Sequence, residues 1–329
     1  MSNNELVLMS KTAFITGISG QDGSYLAEYL LELGYKVTGI IRRHSVAENQ
    51  DYRLSKLKNI EVAYGDLLDS SSLSRALIRF KPDEIYNLAA QSHVRISSEI
   101  PNFTVQVNAV GTLNLLESYK DTCSSARYYQ ASSSEMFGQN IDEDGYQRES
   151  TRMNPVSPYG CAKLFAYNIS RHYRNAYKLH ITNGILFNHE SPRRGSNFVT
   201  NKIVKGALAI KMGNLSFLEL GNLDSYRDWG HSYDYVRAMH LIMNADNPSD
   251  YVVATGKTYS VRDLCSYVFS KLGLDYTKYV RQNEKYFRPE ELRMLRGDSQ
   301  KIRKELGWKP TYSFETLLDE MIDFWQVNS

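Results

Sequence analysis

The chain has 329 residues, 42% hydrophobic and 23% charged, the fractions of a soluble globular protein with one large domain or two intimate ones. Its formal net charge of +2, with no clustered basic face, argues against a nucleic-acid or acidic-membrane partner. Three widely spaced cysteines, Cys123, Cys161 and Cys265, form no metal-ligand or redox pattern, and there is no run of about 18 apolar residues, so no metal, no membrane contact and a cytoplasmic location are expected.

Taken in order, Thr12-Ala13-Phe14-Ile15-Thr16 reads as a strand stopped at once by Gly17. Gly17, Gly20 and Gly23 punctuate Gly-Ile-Ser-Gly-Gln-Asp-Gly, and Leu26, Leu30 and Leu33 then keep helical spacing up to Gly34. Strand, glycine turn and helix in this order make a dinucleotide-binding start, because glycines let backbone amides approach a pyrophosphate at a helix N-terminus. The second strand, Lys36 to Ile41, ends in Arg42-Arg43. Arginine suits a 2′-phosphate where a carboxylate would hold a ribose hydroxyl, so NADP is favoured over NAD. A third strand, Ile60 to Tyr64, leads to Asp66, which either accepts from the adenine amino group or caps the next helix. The fourth, Glu84 to Leu88, runs into the small-residue turn Ala89-Ala90, where backbone can come close to a cofactor.

An amphipathic helix is predicted from Asn108 to Tyr119 and a fifth strand from Arg127 to Ala131, which delivers Ser132-Ser133-Ser134-Glu135 to a strand end. A helix from Pro158 to about Tyr177 carries Tyr159 and Lys163 one turn apart on one face, and His180 to Phe187 is a sixth strand. This alternation predicts a doubly wound parallel sheet of the Rossmann type. Beyond Phe187 the rhythm breaks: a polar loop from Asn188 to Gly195, a helix from Phe198 to Lys211, Arg227-Asp228-Trp229-Gly230, a helix through Met243, a sheet strand at Tyr251 to Ala254, and helices near Ser260–Leu272 and Ser313–Trp325. We therefore expect residues 1–187, rejoined by 228–257, to form the cofactor domain, and 188–227 with 258–329 a smaller mixed α/β cap.

A tyrosine hydroxyl is a poor base at neutral pH, and a lysine ammonium beside it is expected to favour the phenolate. Such a pair, with a serine hydroxyl from the strand end, suits removal of a proton from a substrate alcohol as hydride leaves the same carbon. Glu135 adds a second base. If a sugar 4-hydroxyl is first oxidised, the C5 hydrogen becomes acidic, and a carboxylate can move that proton to a departing 6-hydroxyl. The alternative for Glu135 is a carboxylate that complements a helix start. In the C-terminal part Asn188, Arg227 and Arg288 suit the diphosphate of a nucleotide sugar.

Several stretches together resemble the GDP-mannose 4,6-dehydratase family of extended short-chain dehydrogenases/reductases, from about Lys11 to Trp325. They are Ile15 to Gly23, Tyr129 to Glu135, Gly184 to Gly195 with its Asn-His-Glu-Ser-Pro-Arg-Arg-Gly run, Leu220-Gly221-Asn222, Arg227 to Gly230, Ala254-Thr255-Gly256, Phe287-Arg288-Pro289 and Gly307-Trp308-Lys309-Pro310. The resemblance implies Ser133, Glu135 and Tyr159 as the catalytic trio with Lys163 in support. It implies tightly bound, recycled NADP held by Gly17, Ser19, Gly20, Gln21, Asp22, Gly23, Arg42, Asp66, Leu67, Leu88, Ala89, Ala90, Ser92, Lys163, His189 and Arg194. It implies a GDP-sugar held by Asn188, Lys202, Arg227, Arg288 and Glu291, and a homodimer or homotetramer. This chain departs from the family at Ser133, where threonine is usual, at Gln106-Val107-Asn108, at Arg293, and in a shorter loop after Arg43, which bears on a tetramer built there. The second and third of these leave GDP-D-glycero-D-manno-heptose as an alternative to GDP-mannose; a GDP-keto-sugar reductase is a further alternative.

Overall fold

The computed structural model describes residues 10–43, 53–55 and 57–328; most of the loop after Arg43 lies outside them. Strands β1 (Thr12–Thr16), β2 (Lys36–Ile41), β3 (Ile60–Tyr64), β4 (Glu84–Asn87), β5 (Arg127–Ser133) and β6 (Ile181–Leu186) fall where the apolar runs predict them. Short strands β7 (Asn188–Glu190), β8 (Leu218–Leu220), β9 (Tyr226–Arg227) and β10 (Trp229–His231) follow, and then β11 (Asp250–Val253). Seven of these form one sheet in the order β11-β6-β5-β4-β1-β2-β3, every neighbouring pair parallel. Parallel neighbours need crossovers, and helices cover both faces. On one face Leu26, Leu30, Met239 and Ile242, from helices Gln21–Glu32 and Ser232–Met243, pack on the sheet. On the other face Leu73, Leu77, Leu115, Leu116 and Tyr173 do so. A third apolar cluster, with Ile203, Leu264, Phe269, Leu318 and Met321, joins helices Val199–Lys211, Val261–Lys271 and Phe314–Asn328 and is the core of the smaller part. Each fully buried Leu or Phe contributes about 1.5–3 kcal/mol, so the second core is substantial by itself.

The helix Pro158–Tyr177 begins where local chemistry directs it. The Ser157 side chain accepts from Gly160 N, Pro158 occupies the first turn, and Lys178 ends it with a φ of 56°. Two elements differ from expectation. The helix predicted from Asn108 starts earlier, at Pro101, and runs through a π turn at Gln106–Val110 to Cys123. Asn108 lies in that turn, and its amide is spent on Gln91, accepting from N at 2.8 Å and donating to O at 2.9 Å. The strand expected to run from His180 to Phe187 ends at Leu186, where the β11 register ends, and Asn188–Glu190 pairs with Trp229–His231. Among the described residues no helix is long and apolar enough to cross a membrane.

Candidate active site

The sheet order reverses between β1 and β4, which opens a crevice at the C-terminal ends of the strands. Thr16 closes its floor: its Oγ1 donates to Asn87 Oδ1 at 2.7 Å and accepts from Leu88 N and Ala89 N, both at 3.1 Å. Gly17 follows with a φ of +70°, and a Cβ there would lie 2.9 Å from Ala89; a Cβ on Gly23 would lie 2.2 Å from Gly17 O. Only glycine therefore lets this turn sit against the end of β4. The N-cap residue Gly20 brings no side-chain acceptor, so the start of helix Gln21–Glu32 is open to an anionic group. These residues fit the pyrophosphate of a dinucleotide.

The loop after β7 is bolted to the same helix. Gln21 Nε2 donates to His189 O at 3.2 Å, Ser191 Oγ donates to Gln21 Oε1 at 2.8 Å, and His189 Nε2 lies 2.8 Å from Asp22 Oδ2. His189 Nδ1 faces Phe187 O at 2.7 Å, so both ring nitrogens meet acceptors, which suits the imidazolium. Burial opposes charge on both partners, yet their mutual attraction prevails, raising the His189 pKa and lowering that of Asp22. Arg193 forks onto Glu28 at 2.7 and 2.8 Å and lies 3.9 Å over Tyr25; Arg194 Nε lies 2.9 Å from Glu190. The stabilising role of Arg193 was not foreseen; its sequence gives it no partner until the fold brings Glu28 beside it.

At the other end of the crevice β5 finishes in Ser133, whose Oγ accepts from Glu135 N at 3.2 Å. Ser133, Glu135, Tyr159 and Lys163 are all at least nine-tenths buried, and all four line one cavity of about 610 Å³. Lys163 Nζ donates to Ala131 O at 2.9 Å and stands 5.8 Å from the centre of the Tyr159 ring. Burial pushes the Tyr159 hydroxyl up to about 12, although the bond with Ser133 pulls it down, and burial brings Lys163 down to about 8. Both shifts have burial as their largest cause, and a lysine at about 8 still carries its proton at neutral pH, beside the Tyr159 ring.

Asn188, Lys202, Arg227, Arg288 and Glu291 line the same cavity. Arg227 is only 5% exposed; its Nη1 donates to Tyr226 O at 2.8 Å and to Leu292 O at 3.0 Å, and among the described residues it forms no ion pair. Burial and the nearby Arg288 guanidinium lower it to about 10. Lys202 Nζ donates to Glu219 O at 2.6 Å and lies 3.7 Å over Tyr286. Arg288 Nη1 donates to Glu135 Oε1 at 3.1 Å, while Glu291 Oε1 accepts from Arg288 N at 3.1 Å. Asp228, next to Arg227, is wholly buried and accepts from Thr255 N, Thr255 Oγ1 and Gly256 N at 2.9, 2.6 and 2.8 Å, which pins the turn after β11.

Of the residues expected to meet the cofactor, Asp22, Leu88, Ala90, Ser92, Lys163, His189 and Arg194 line the cavity. Gly17, Ser19, Gly20 and Ala89, in the turns after β1 and β4, and Gln21 and Gly23, in the first turn of helix Gln21–Glu32, lie outside that lining, and Arg42 is exposed just after β2. Asp66 and Leu67 follow β3; Asp66 Oδ1 accepts from Leu68 N at 2.9 Å and Leu67 is packed into the core. Trp229 and Tyr286 also line the cavity, and neither was singled out as a ligand.

Residues 14–321 match the family described as GDP-mannose 4,6 dehydratase. A GDP-mannose 4,6 dehydratase 1 of Arabidopsis thaliana is 47% identical over 334 residues, covering 98% of this chain and 91% of its own. A GDP-mannose 4,6 dehydratase of Drosophila melanogaster is 45% identical over 339 residues, covering 95% and 85%. Among solved structures, a dTDP-glucose 4,6-dehydratase of Streptomyces venezuelae with NAD and TYD bound superposes with a TM-score of 0.85 at 24% identity, covering 96% of this chain and 97% of that one. At that identity the likeness speaks for the fold alone.

Proposed function

The chain belongs to the GDP-mannose 4,6 dehydratase family, and we propose that it converts GDP-mannose to GDP-4-keto-6-deoxymannose and water with a resident nicotinamide dinucleotide. The observation that carries this reading is the placing of Glu135, a buried carboxylate, beside Ser133, Tyr159 and Lys163 in the cavity that Arg227 also lines.

A nicotinamide dinucleotide bound here would supply a hydride acceptor for the sugar C4, the donor for C6, and a positive charge in its oxidised form. Ser133 Oγ orients the 4-hydroxyl. Tyr159 takes its proton; burial holds this phenol at about 12, and positive charge beside it, from Lys163 and an oxidised nicotinamide, would bring it down. Lys163, anchored on Ala131 O, keeps its remaining protons for a ribose hydroxyl. Glu135 removes the C5 proton, acidified by the 4-keto group, and gives it to the departing 6-hydroxyl; return of hydride to C6 is then matched by a proton at C5, which Tyr159 supplies from the one it took from the 4-hydroxyl, so both side chains end as they began. The sum is loss of one water with no net redox change. Arg227 and Arg288, with Asn188, Lys202 and Glu291, receive the GDP portion, the two guanidiniums by charge-assisted bonds to the diphosphate.

The Arg42-Arg43 pair after β2, with no carboxylate there, supports NADP as the tightly bound form, held also by the Gly17–Gly23 turn, Asp66, Leu67, the Leu88–Ser92 turn, His189 and Arg194. Residues 1–187 and 228–257 serve as the cofactor domain, a division supported by β11 joining the main sheet, and 188–227 with 258–329 serve as the cap around the third apolar cluster. The protein works in the cytoplasm as a homodimer or homotetramer; its three free cysteines agree with a reducing compartment, and Phe103 and Phe165, both exposed, are available to a second copy. The deciding experiment incubates purified protein, without added cofactor, with GDP-mannose and separately with GDP-D-glycero-D-manno-heptose, and reads loss of water by mass spectrometry. Loss from GDP-mannose is expected. Loss from neither, with NADPH consumed on a 4-keto sugar, would make the protein a reductase.

A further inference from the structure

The segment from Asn283 to Arg293 is a strap that brings Tyr286, Arg288 and Glu291 to the cavity lining. It is tied down by Asn283 Nδ2 and Lys285 Nζ, each donating to a Glu219 carboxylate oxygen at 2.8 Å, by Gln139 Nε2 donating to Glu291 O at 2.5 Å, and by Lys202 under Tyr286. Arg288 is the strap residue that reaches the reacting end: Nη1 meets Glu135 Oε1 at 3.1 Å, and Nε lies 3.8 Å from Glu291. The two cavity arginines are thus held in opposite ways. Arg227 is buried on backbone carbonyls and among the described residues forms no ion pair, whereas Arg288 is committed to the carboxylate assigned to the C5 proton. They are near enough for the charge of one to perturb the other, so both flank the place where a diphosphate would sit.

A carboxylate oxygen engaged by a guanidinium has less lone-pair capacity for a substrate proton. A diphosphate offers that guanidinium more charge and more oxygens than one carboxylate does. From this we propose that Arg288 is a positioning residue shared between two anions: the diphosphate of the incoming GDP-sugar competes with Glu135 for it, and seating the diphosphate hands Glu135 over to the sugar. Binding at the nucleotide end thereby readies the base at the sugar end. The inference rests on the proposed function, since it takes Glu135 as the base and GDP as the bound nucleotide.

The test is a double-mutant cycle read by calorimetric binding of GDP, which cannot react, to the protein as purified with its cofactor. Glu135→Gln is expected to bind GDP about tenfold more tightly than wild type, because Arg288 then has no charged partner to leave. Arg288→Gln is expected to bind GDP more weakly, and Arg288→Lys, which keeps the cation, to recover part of the loss. In the Arg288→Gln background, Glu135→Gln is expected to change GDP affinity much less than in wild type. An equal effect of Glu135→Gln in both backgrounds, or unchanged affinity in Arg288→Gln, overturns the sharing. Thermal melts check that each variant folds; if Arg288→Gln does not, Arg288→Met, which also removes the cation, completes the cycle. Failure of wild type to bind GDP at all would sink the functional reading itself, whereas GDP binding and dehydration without coupling would sink only the role of Arg288.

Discussion

Replacing Glu135 by glutamine isolates the dehydration step from the oxidation step. The side chain is 6% exposed and its Oε1 accepts from Arg288 at 3.1 Å. Glutamine has the same shape and its carbonyl can still accept that bond, so the fold is expected to lose only about 1–2 kcal/mol rather than the 3–5 kcal/mol of an orphaned buried charge. What glutamine cannot do is take a proton. General acid–base catalysis contributes about 10²–10⁴-fold, so dehydration should slow by that factor, roughly 3–5 kcal/mol in the barrier. Removal of hydride from C4 depends on Ser133, Tyr159 and Lys163 and should persist. The assay follows GDP-mannose in heavy water by mass spectrometry, with the dehydrated product and deuterium at C5 measured separately. Wild type should give both and the variant neither, while slow oxidation at C4 continues. A variant that dehydrates within a few-fold of wild type would show that Glu135 is a helix-start carboxylate and that another group moves the C5 proton.

Tyr159→Phe removes the phenol and keeps the ring; turnover should fall by about 10³-fold while the calorimetric affinity for GDP stays as in wild type, and a parallel loss of binding would mean a structural role. His189→Gln breaks the buried link to Asp22, at a cost of about 3 kcal/mol. The folded pKa of His189 is raised and that of Asp22 lowered, so their stabilisation is full between about pH 4 and 6.5, fades as pH rises through the folded histidine pKa, and fades as pH falls through the folded aspartate pKa. Urea midpoints of wild type and variant should therefore differ more at pH 5.5 than at pH 9, and an equal gap would mean the pair is not charged. Arg42→Asp should shift cofactor preference from NADP towards NAD; an unchanged ratio of bound cofactors after reconstitution would count against Arg42 as the 2′-phosphate contact.

The sheet was legible because its strands are short apolar runs each ended by a turn residue. The crevice followed, since the Gly17 turn and the Ala89-Ala90 turn mark the ends of β1 and β4, and those two strands are neighbours. Tyr159 and Lys163 were legible because helical spacing alone puts them on one face. The π turn was not legible: it depends on Asn108 bonding the backbone of Gln91, a partner 17 residues away that only the fold brings near. Nor was the burial that pushes Tyr159 up and Lys163 down, because proximity is visible in a spacing of four but burial is not. Arg193, read only as part of a polar run, proved to be paired with Glu28, and Arg227 forms no ion pair among the described residues; sequence treats the two arginines alike.

That last difference separates structure from function in the cavity. A buried guanidinium or ammonium without a carboxylate works against folding, and both Arg227 and Lys163 are pulled below their ordinary pKa values by burial, to about 10 and about 8. Both donate to backbone carbonyls, Lys163 to Ala131 O and Arg227 to Tyr226 O and Leu292 O. Their placement makes sense as unmet demand for ligand: a diphosphate at Arg227 and a ribose hydroxyl at Lys163 provide the acceptors that the chain withholds. A ligand that binds only the folded state stabilises it by RT ln(1 + [L]/Kd), about 2.7 kcal/mol at a hundredfold excess over Kd. GDP should therefore raise the melting temperature of wild type strongly and that of Arg227→Gln weakly. The same variant by itself, relieved of an uncompensated buried charge, should melt no lower than wild type. A large drop in its melting temperature would mean that Arg227 belongs to the scaffold, and that the diphosphate is held elsewhere.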